Sequence, residues 1–466
     1  MEEKNDRKLN SKFSVLIIVI YVTIIGAFLL LLLILLGNFS SPIESMRVPS
    51  YFGKEKPILE AFEKQFETKD EFIYRAPIKG EFRSPVVFVD LDNDARDEAL
   101  VFYSKKQDEK IIYIGIMQKI DKTWKLINNI RGNSGNIISA EIIKPDINSD
   151  NYLVFYWDLI GGENNGLLTL YMPEKDYKNT LTIKPVFKQN TAVYSKIAID
   201  DKGNPGLVLC SLKYTDKNLE SYAGVIKIEN KNVKVLDENI EIDNSVNNYT
   251  KLSKLKKPDG EYIFLDTIKE NTSSLTEVLF WNYKEQKLTS LFTKPQSFTN
   301  FRTLRPVKIE CKDIDGDEII EIPTYRSDYY KDYKKSLKYG EKFVPVIEWS
   351  TLDKFNLKEK SLSFVNQDDG YLFKIDNDNK MVGIRNERFS KTEFWTTKNG
   401  EKSKKLFEIY SVDYSKYSEN TNNYSEYFVY GTVGNKMIMY KITDDGAKAY
   451  INEEYIGIRL LFTIAL

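Results

Sequence analysis

Two short acidic runs hold the residues best placed to do chemistry. In the first, Asp313, Asp315, Asp317 and Glu321 stand at offsets 0, 2, 4 and 8, with Gly316 between them. A tight loop at those offsets turns alternate carboxylates inward, and the glycine permits a positive φ. Such an oxygen-only set suits Ca²⁺, a hard cation that takes 6 to 8 oxygen ligands in flexible geometry. An EF-hand would need its glutamate at position 12, which is Thr324, so the loop is of another kind. The second run repeats the offsets with Asp90, Asp92, Asp94 and Glu98, Asp97 being an alternative ligand and Asn93 standing where the glycine would be. Asn tolerates a left-handed backbone almost as well. A third run, Asp146, Asn148 and Asp150, has Val154 at offset 8 and lacks a full set. Ca²⁺ at the first two runs would brace the chain and relieve mutual repulsion. The plainer alternative is a solvated turn, since Asp and Asn stabilise turns through their own backbone hydrogen bonds.

Composition narrows the remaining chemistry. The 466 residues include no histidine, which removes Ser-His-Asp and Cys-His catalysis and His-ligated zinc. An enzyme would have to work with carboxylates, Tyr, Lys or Ser. With 67 Lys and Arg against 68 Asp and Glu, no chain-wide basic field exists to hold nucleic acid, and none is expected as a partner. Cys210 and Cys311 lie in apolar strand-like contexts and read as buried hydrophobes rather than a disulfide framework.

The elements that must position the acidic runs form an internal repeat. FVDLDNDARDEALVFY from Phe88, IKPDINSDNYLVFYW from Ile143, IAIDDKGNPGLVLCSL from Ile197 and IECKDIDGDEIIEIPTY from Ile309 each read strand, acidic turn, strand. From Asp90 to Asp146 is 56 residues, to Asp200 a further 54, and to Asp313 a further 113, twice 56.5. The missing unit falls near residue 257, where KLSKLKKPDGEYIFLDTI gives a strand, a Pro-Asp-Gly turn and a strand. Short Val/Ile/Tyr/Phe/Leu-rich segments broken by Asn, Asp, Gly or Lys complete an all-β pattern. Four strands per period of about 55 predict β-propeller blades, somewhat longer than familiar ones. Five are countable, and 344–365 is a sixth or closes the ring. Beyond Asp369, GYLFKID, TEFWTTK, LFEIYSV, YFVYGTV and KMIMYKI read as further strands, and Asn452 caps a last helix. Before the repeats, Pro57 opens a short helix with Ile58, Leu59, Phe62 and Phe66 on one face, which would dock on the strands after it.

At the N-terminus, Phe13 to Leu36 is uncharged for 24 residues. As a helix it reaches about 36 Å, enough to span a bilayer. Lys4, Arg7, Lys8 and Lys12 precede it and no Lys or Arg comes directly after it, which puts the N-terminus in the cytoplasm. The run is longer than a cleaved signal's apolar region and no small-residue cleavage site lies beyond it. The expected organisation is a cytoplasmic tail at 1–12, a transmembrane signal anchor at 13–37 contacting the lipid bilayer, and a linker with the short helix at 38–71. A mainly β propeller of about five to six blades at 72–368 and a small α+β domain at 369–466 complete the chain, outside the membrane.

D-x-D-x-D/G-x-x-x-E between two strands, repeated at blade spacing over residues 72 to 365, resembles the FG-GAP or VCBS repeats of integrin-α-like propellers. With PIESMRVP and the short helix ahead of it, the chain is similar to membrane-anchored bacterial VCBS-repeat proteins of unassigned function. No lipobox cysteine is present, and only two turns keep all ligands. The resemblance implies calcium-stabilised blades with a partner bound on the loops of one face.

Weaker candidates remain. Tyr325 to Phe343 interleaves five Tyr with six Lys and Arg, either a surface for sugars or anionic polymers or a solvated loop. Ile160 to Leu168 is Gly-rich but lacks Gly-Lys-Ser/Thr and reads as a hairpin turn. The leading expectation is a non-catalytic extracytoplasmic binding scaffold for a protein or cell-wall polysaccharide, at a cell surface. The alternative is a His-free carbohydrate-active enzyme, hydrolase or lyase, using carboxylate and Tyr on the propeller face.

Overall fold

The structure is a computed structural model. It describes residues 53–68, 71–144, 151–160, 166–176, 179–201, 204–214, 219–229, 232–242, 246–269, 273–292, 303–353, 356–375, 381–419, 421–442 and 458–460. The apolar run 13–37, the Asp146 turn and the helix expected at Asn452 lie outside these residues. Among the described residues no helix is long and apolar enough to cross a membrane.

The chain divides into two compact units, Met1–Thr68 with Ile120–Lys125, and Lys69–Lys119 with Leu126–Leu466. In the first, helix α1 (Lys56–Glu63) starts with Pro57 in its first turn, where a missing N–H costs nothing, and buries Ile58, Leu59 and Phe62.

The second unit is mainly β, a series of antiparallel sheets consistent with a propeller. Sheet 1 holds β1 (Phe72–Tyr74), β2 (Val86–Val89), β3 (Glu98–Lys105), β4 (Asp108–Ile120) and β5 (Thr123–Ser134). Sheet 2 runs in order through β6 (Asn136–Ile143), β7 (Tyr152–Asp158), β8 (Gly166–Lys175) and β9 (Leu181–Asn190). Sheet 3 repeats this with β10 (Val193–Asp201), β11 (Asn204–Tyr214), β12 (Leu219–Glu229) and β13 (Asn232–Glu241). Sheet 4 comes next with β14 (Asn248–Lys257), β15 (Gly260–Lys269), β16 (Ser273–Asn282) and β17 (Lys287–Ser290). The last two sheets interleave in sequence. β18 (Ile322–Tyr325) begins sheet 5 and β19 (Glu341–Phe343) goes to sheet 6, after which β20 (Val346–Asp353), β21 (Asn356–Asn366) and β22 (Tyr371–Ile375) complete sheet 5. Sheet 6 then takes β23 (Met381–Asn386), β24 (Lys391–Lys398), β25 (Glu401–Asp413), β26 (Phe428–Val433) and β27 (Lys436–Ile442), and β28 (Ile458–Leu460) pairs with β22.

Burial explains why these segments read as they do. Middle strands such as β3, β8 and β16 are covered on both faces and so are nearly continuous apolar runs. Outer strands such as β5 and β9 are half-buried to exposed along most of their length and mixed. Apolar clusters join each sheet to the next: Phe102 with Phe155, Leu170 with Leu207, Val208 with Ile263, Phe264 with Ile322, and Phe364 with Phe394. The repeated turns occupy equivalent places. β2–β3, β10–β11 and β14–β15 are each the leading hairpin of a sheet, and a Lys312–Glu321 bridge closes the Asp313 turn beside β18. All five segments read as strands beyond Asp369 are strands, β22 belonging to sheet 5 and the other four to sheet 6.

Candidate functional site

The Asp313 turn folds around its first aspartate. Asp313 Oδ1 accepts the N–H of Asp315 (3.2 Å), Gly316 (2.6 Å) and Asp317 (3.2 Å), and Oδ2 that of Glu318 (2.8 Å). Gly316 sits at φ +84°, as a loop of this shape requires. Glu321, fully buried, reaches back to the N–H of Ile314 at 2.8 Å. Asp313, Asp315 and Glu321 converge, as the sequence predicts. A residue from outside the run joins them: Lys360 Nζ, on β21, lies 3.0 Å from Asp315 Oδ1 and 2.6 Å from both Asp317 Oδ2 and Glu321 Oε1. Desolvation works to raise the Asp313 pKa, but the four N–H donors outweigh it and hold the carboxyl below its ordinary value. Desolvation likewise works against the Lys360 ammonium, and Asp317, Glu321 and Asp315 override it, raising its pKa.

The Asp90 turn shares this plan. Asp90 accepts from the N–H of Asp94 (3.2 Å) and Ala95 (3.0 Å), and Glu98, only 2% exposed, accepts from Leu91 N–H at 2.9 Å. Asn93 and Ala95 both adopt positive φ. Asp90, Asp92 and Asp94 converge. No lysine completes the cluster: among the described residues no Lys or Arg pairs with its four carboxylates. Asp92 Oδ1 is a buried oxygen without a hydrogen-bond partner. Burial pushes the Glu98 carboxyl up to about 7; the Leu91 N–H opposes this and Asp92 adds to it.

Tyr329 and Tyr330 of the basic aromatic segment turn inward, while Tyr339 stays exposed. Tyr330 stacks on Phe343 with ring centroids 4.3 Å apart and donates to Val344 O at 2.5 Å, while Tyr329 meets Phe364 edge-on. Those rings are core, so the segment offers no continuous aromatic surface. The Gly-rich stretch links β7 to β8, which pair as a hairpin. Cys210 and Cys311 are free and buried.

A site that no sequence motif announces lies on sheet 6. Along β24, Thr392 and Phe394 are buried, and Phe394 joins the core against sheet 5. Lys391, Glu393 and Trp395 alternate with them and belong to the opposite face. Helix α2 (Tyr414–Glu419) and the turns after it return beside that face, and a cavity of about 520 Å³ opens there. Its lining includes Glu341, Lys391, Glu393, Tyr410, Tyr424 and Tyr427, with Phe389 at 64% exposure. Tyr417, Tyr424, Tyr410 and Tyr427 form a row, successive ring centroids 5.7 to 5.8 Å apart.

Charge is organised beneath this wall. Glu393 receives Lys405 Nζ at 2.7 Å and Trp395 Nε1 at 3.2 Å. Glu408, 4% exposed and directly across the strand pair, receives Lys391 at 2.7 Å, Tyr427 Oη at 2.5 Å and Lys405. Burial works to raise the Glu408 pKa, yet Lys391, Lys405 and Tyr427 hold it below the usual value. Burial first, then Glu408, raises the Tyr427 phenol, which therefore stays protonated as a donor. Glu341, on β19, accepts from Lys338 N–H at 3.0 Å. The arrangement presents two carboxylates, one lysine and a tyrosine wall to one cavity, with Lys405 paired to Glu393, and such groups can move protons to or from a bound molecule.

No protein-family model matches the chain, and no curated protein matches it. Solved structures similar to it include a levansucrase mutant from B. megaterium (12% identity, covering 68% of this chain and 92% of that chain, TM-score 0.26). A B. subtilis levansucrase matches at 11% identity over 66% of this chain and 84% of that chain, TM-score 0.23. A levansucrase complexed with sucrose matches at 10% identity over the same shares, TM-score 0.24. These names belong to enzymes, and that finding runs against the expectation of a non-catalytic scaffold. The non-catalytic reading is withdrawn, and with it the expectation that the chain is no enzyme.

Proposed function

We propose that the chain is a His-free carbohydrate-active enzyme, a glycoside hydrolase whose site is the tyrosine-walled cavity of sheet 6. The observation that carries this reading is that Glu341 and Glu393 line one cavity from strands two apart. Adjacent strands lie about 4.8 Å apart, so the two backbones are separated by roughly 10 Å or more, and the side chains close part of that gap. That leaves room for a water between the carboxyls, as inversion at the anomeric carbon needs. Glu393, oriented by Lys405 and Trp395, is the general base that activates the water. Glu341 is the general acid that protonates the leaving oxygen. Glu408 is a positioning residue, fixing Lys391, Lys405 and Tyr427. Tyr410 and Tyr424 supply the ring faces on which sugars stack.

The test is turnover by the purified full-length chain across a panel of cell-wall and storage polysaccharides. Glu393→Gln should abolish hydrolysis of every substrate, whereas Glu341→Gln should spare aryl glycosides, whose leaving groups need no proton. Absence of turnover on the panel, or a Glu393→Gln variant as active as the wild type, overturns the reading.

Two further proposals rest on the sequence. The uncharged run 13–37 and the lysines before it support a single-pass anchor in a cell membrane, cytoplasmic N-terminus, with the site outside and a cell-wall polysaccharide as substrate. The all-oxygen donor set of Asp90, Asp92, Asp94 and Glu98, with a buried unpartnered oxygen on Asp92, fits Ca²⁺ as a structural ion. The Asp313 turn fits one less well, because a side chain already reaches its carboxylates. FG-GAP-like blades of this kind, six counting sheet 6, are the propeller form that the sheet order supports.

A further inference from the structure

We infer that Lys360 is the resident cation of the Asp313 turn, an ammonium standing where a turn of this design would otherwise take a metal ion, so that sheet 5 folds independently of Ca²⁺. The inference is separate from the proposed enzymatic site. Three observations carry it. First, the ammonium lies within 3.0 Å of oxygens from three carboxylates, Asp315, Asp317 and Glu321, which is the convergence point of the loop. Second, the carboxylates are already neutralised by N–H groups and the ammonium. Asp313 gives both oxygens to backbone N–H groups, Asp317 Oδ1 accepts from Ile319 at 3.0 Å, and Glu321 Oε2 accepts from Ile314. Counting the three bound by Lys360, seven of the eight carboxylate oxygens are engaged, and the three turned toward the convergence point are the ones the ammonium holds, where an ion would have to displace it. Third, the backbone is shaped to deliver the lysine. Trp349 pairs with Ser361 and Ser350 with Glu359, so Lys360 is the extra residue of a β-bulge, a device that re-aims a side chain out of the regular alternation.

The Asp90 turn supplies the contrast within the same chain. It has the same offsets and the same glutamate reaching back to the residue after the first aspartate, but among the described residues no ammonium meets its carboxylates. The two turns are thus alternative solutions to one problem, the repulsion of four carboxylates in a short loop.

The test uses the full-length chain with Asp92→Asn and Asp94→Asn to silence the Asp90 turn, and Ca²⁺ alone as probe. With Lys360 in place, calorimetric titration should detect no Ca²⁺ binding up to millimolar concentration, and the melting temperature should not respond. Adding Lys360→Met should lower the melting temperature and create one Ca²⁺ site of about 10⁻⁴–10⁻³ M, with Ca²⁺ restoring the loss. Lys360→Arg should keep the wild-type insensitivity. Should Lys360→Met fold poorly, Lys360→Gln replaces it and is read in the same way. Binding of Ca²⁺ with Lys360 intact, or a Lys360→Met or Lys360→Gln protein that gains no Ca²⁺ response, overturns the inference.

Discussion

Arg305 should be among the least replaceable residues of the molecule. Its guanidinium is 1% exposed and joins sheet 4 to sheet 5: Nη2 lies 3.1 Å from Asp266 Oδ1, Nη1 reaches Thr276 Oγ1 at 2.9 Å, Thr303 O at 3.0 Å and Pro323 O on β18 at 3.3 Å, and Nε reaches Ile309 O at 2.9 Å. Asp266, fully buried on β15, is completed by the Thr276 hydroxyl at 2.6 Å and Cys311 N–H at 2.8 Å. Replacing Arg305 by Met leaves that carboxylate in the core with two neutral donors, and removing one partner of a buried pair costs about 3–5 kcal/mol. Each orphaned carbonyl adds part of a further ~1–3 kcal/mol, non-additively. We expect about 4 kcal/mol in all. The double change Asp266→Leu with Arg305→Met removes the stranded charge, and should be more stable than Arg305→Met alone by at least about 2 kcal/mol. Urea unfolding of the full-length protein, followed by fluorescence of the buried Trp281 and Trp349, measures both. If Arg305→Met lies within about 1 kcal/mol of wild type, or the double change costs the sum of the singles, the ion pair is not what pins sheet 4 to sheet 5.

Three other outcomes are expected from the same packing and charge. Tyr427→Phe deletes the hydroxyl donor to Glu408 and should lower kcat on glycans roughly tenfold with KM little changed, read from initial rates. Glu98 has a folded pKa of about 7, above its ordinary 4.5, so the native state disfavours its ionised form, and the cost grows as pH rises from about 4.5 to 7. With chelator present, Glu98→Gln should match wild type near pH 4 and exceed it above pH 7, by at most about 3.4 kcal/mol and, after screening by nearby water, about 1–2 kcal/mol, measured by melting at several pH values. Cys210, whose thiol burial pushes up to about 12, and Cys311, likewise raised, should resist thiol reagents at pH 8 until the protein unfolds, as timed by labelling and mass spectrometry.

What could be read from the sequence was what each segment specifies locally. Runs such as Leu100 to Tyr103 and Leu153 to Tyr156 name strands because no solvated face interrupts them, and the turn aspartates name hairpins because their carboxylates cap backbone N–H groups. Glu98 and Glu321, which the acidic offsets single out, both fold back to the start of their loops. Lys360 was not legible, since it lies 39 residues beyond Glu321 on another strand and only a bulge turns it toward the loop. The tyrosines of the basic segment misled in the opposite direction: interleaving with lysine suggests an exposed surface, but packing against Phe343 and Phe364 decides where Tyr329 and Tyr330 go.

The cavity of sheet 6 was hidden for a related reason, and the way it is built argues for its use. Lys391, Glu393 and Trp395 alternate with buried residues, which in one strand signals only a solvated face. Nothing local announces that α2 and the tyrosines after it return to that face. Glu393 and Glu408 stand directly opposite each other on β24 and β25, an arrangement of like charges that a sheet otherwise avoids. An apolar cross-strand pair would serve stability better, and the chain uses such pairs elsewhere, Phe394 facing Phe407 on the other side of the same two strands. Instead it spends Lys391, Lys405, Trp395 and Tyr427 holding the two carboxylates in place. A local rule broken and then compensated by four side chains is what the proposed catalytic role requires of this site.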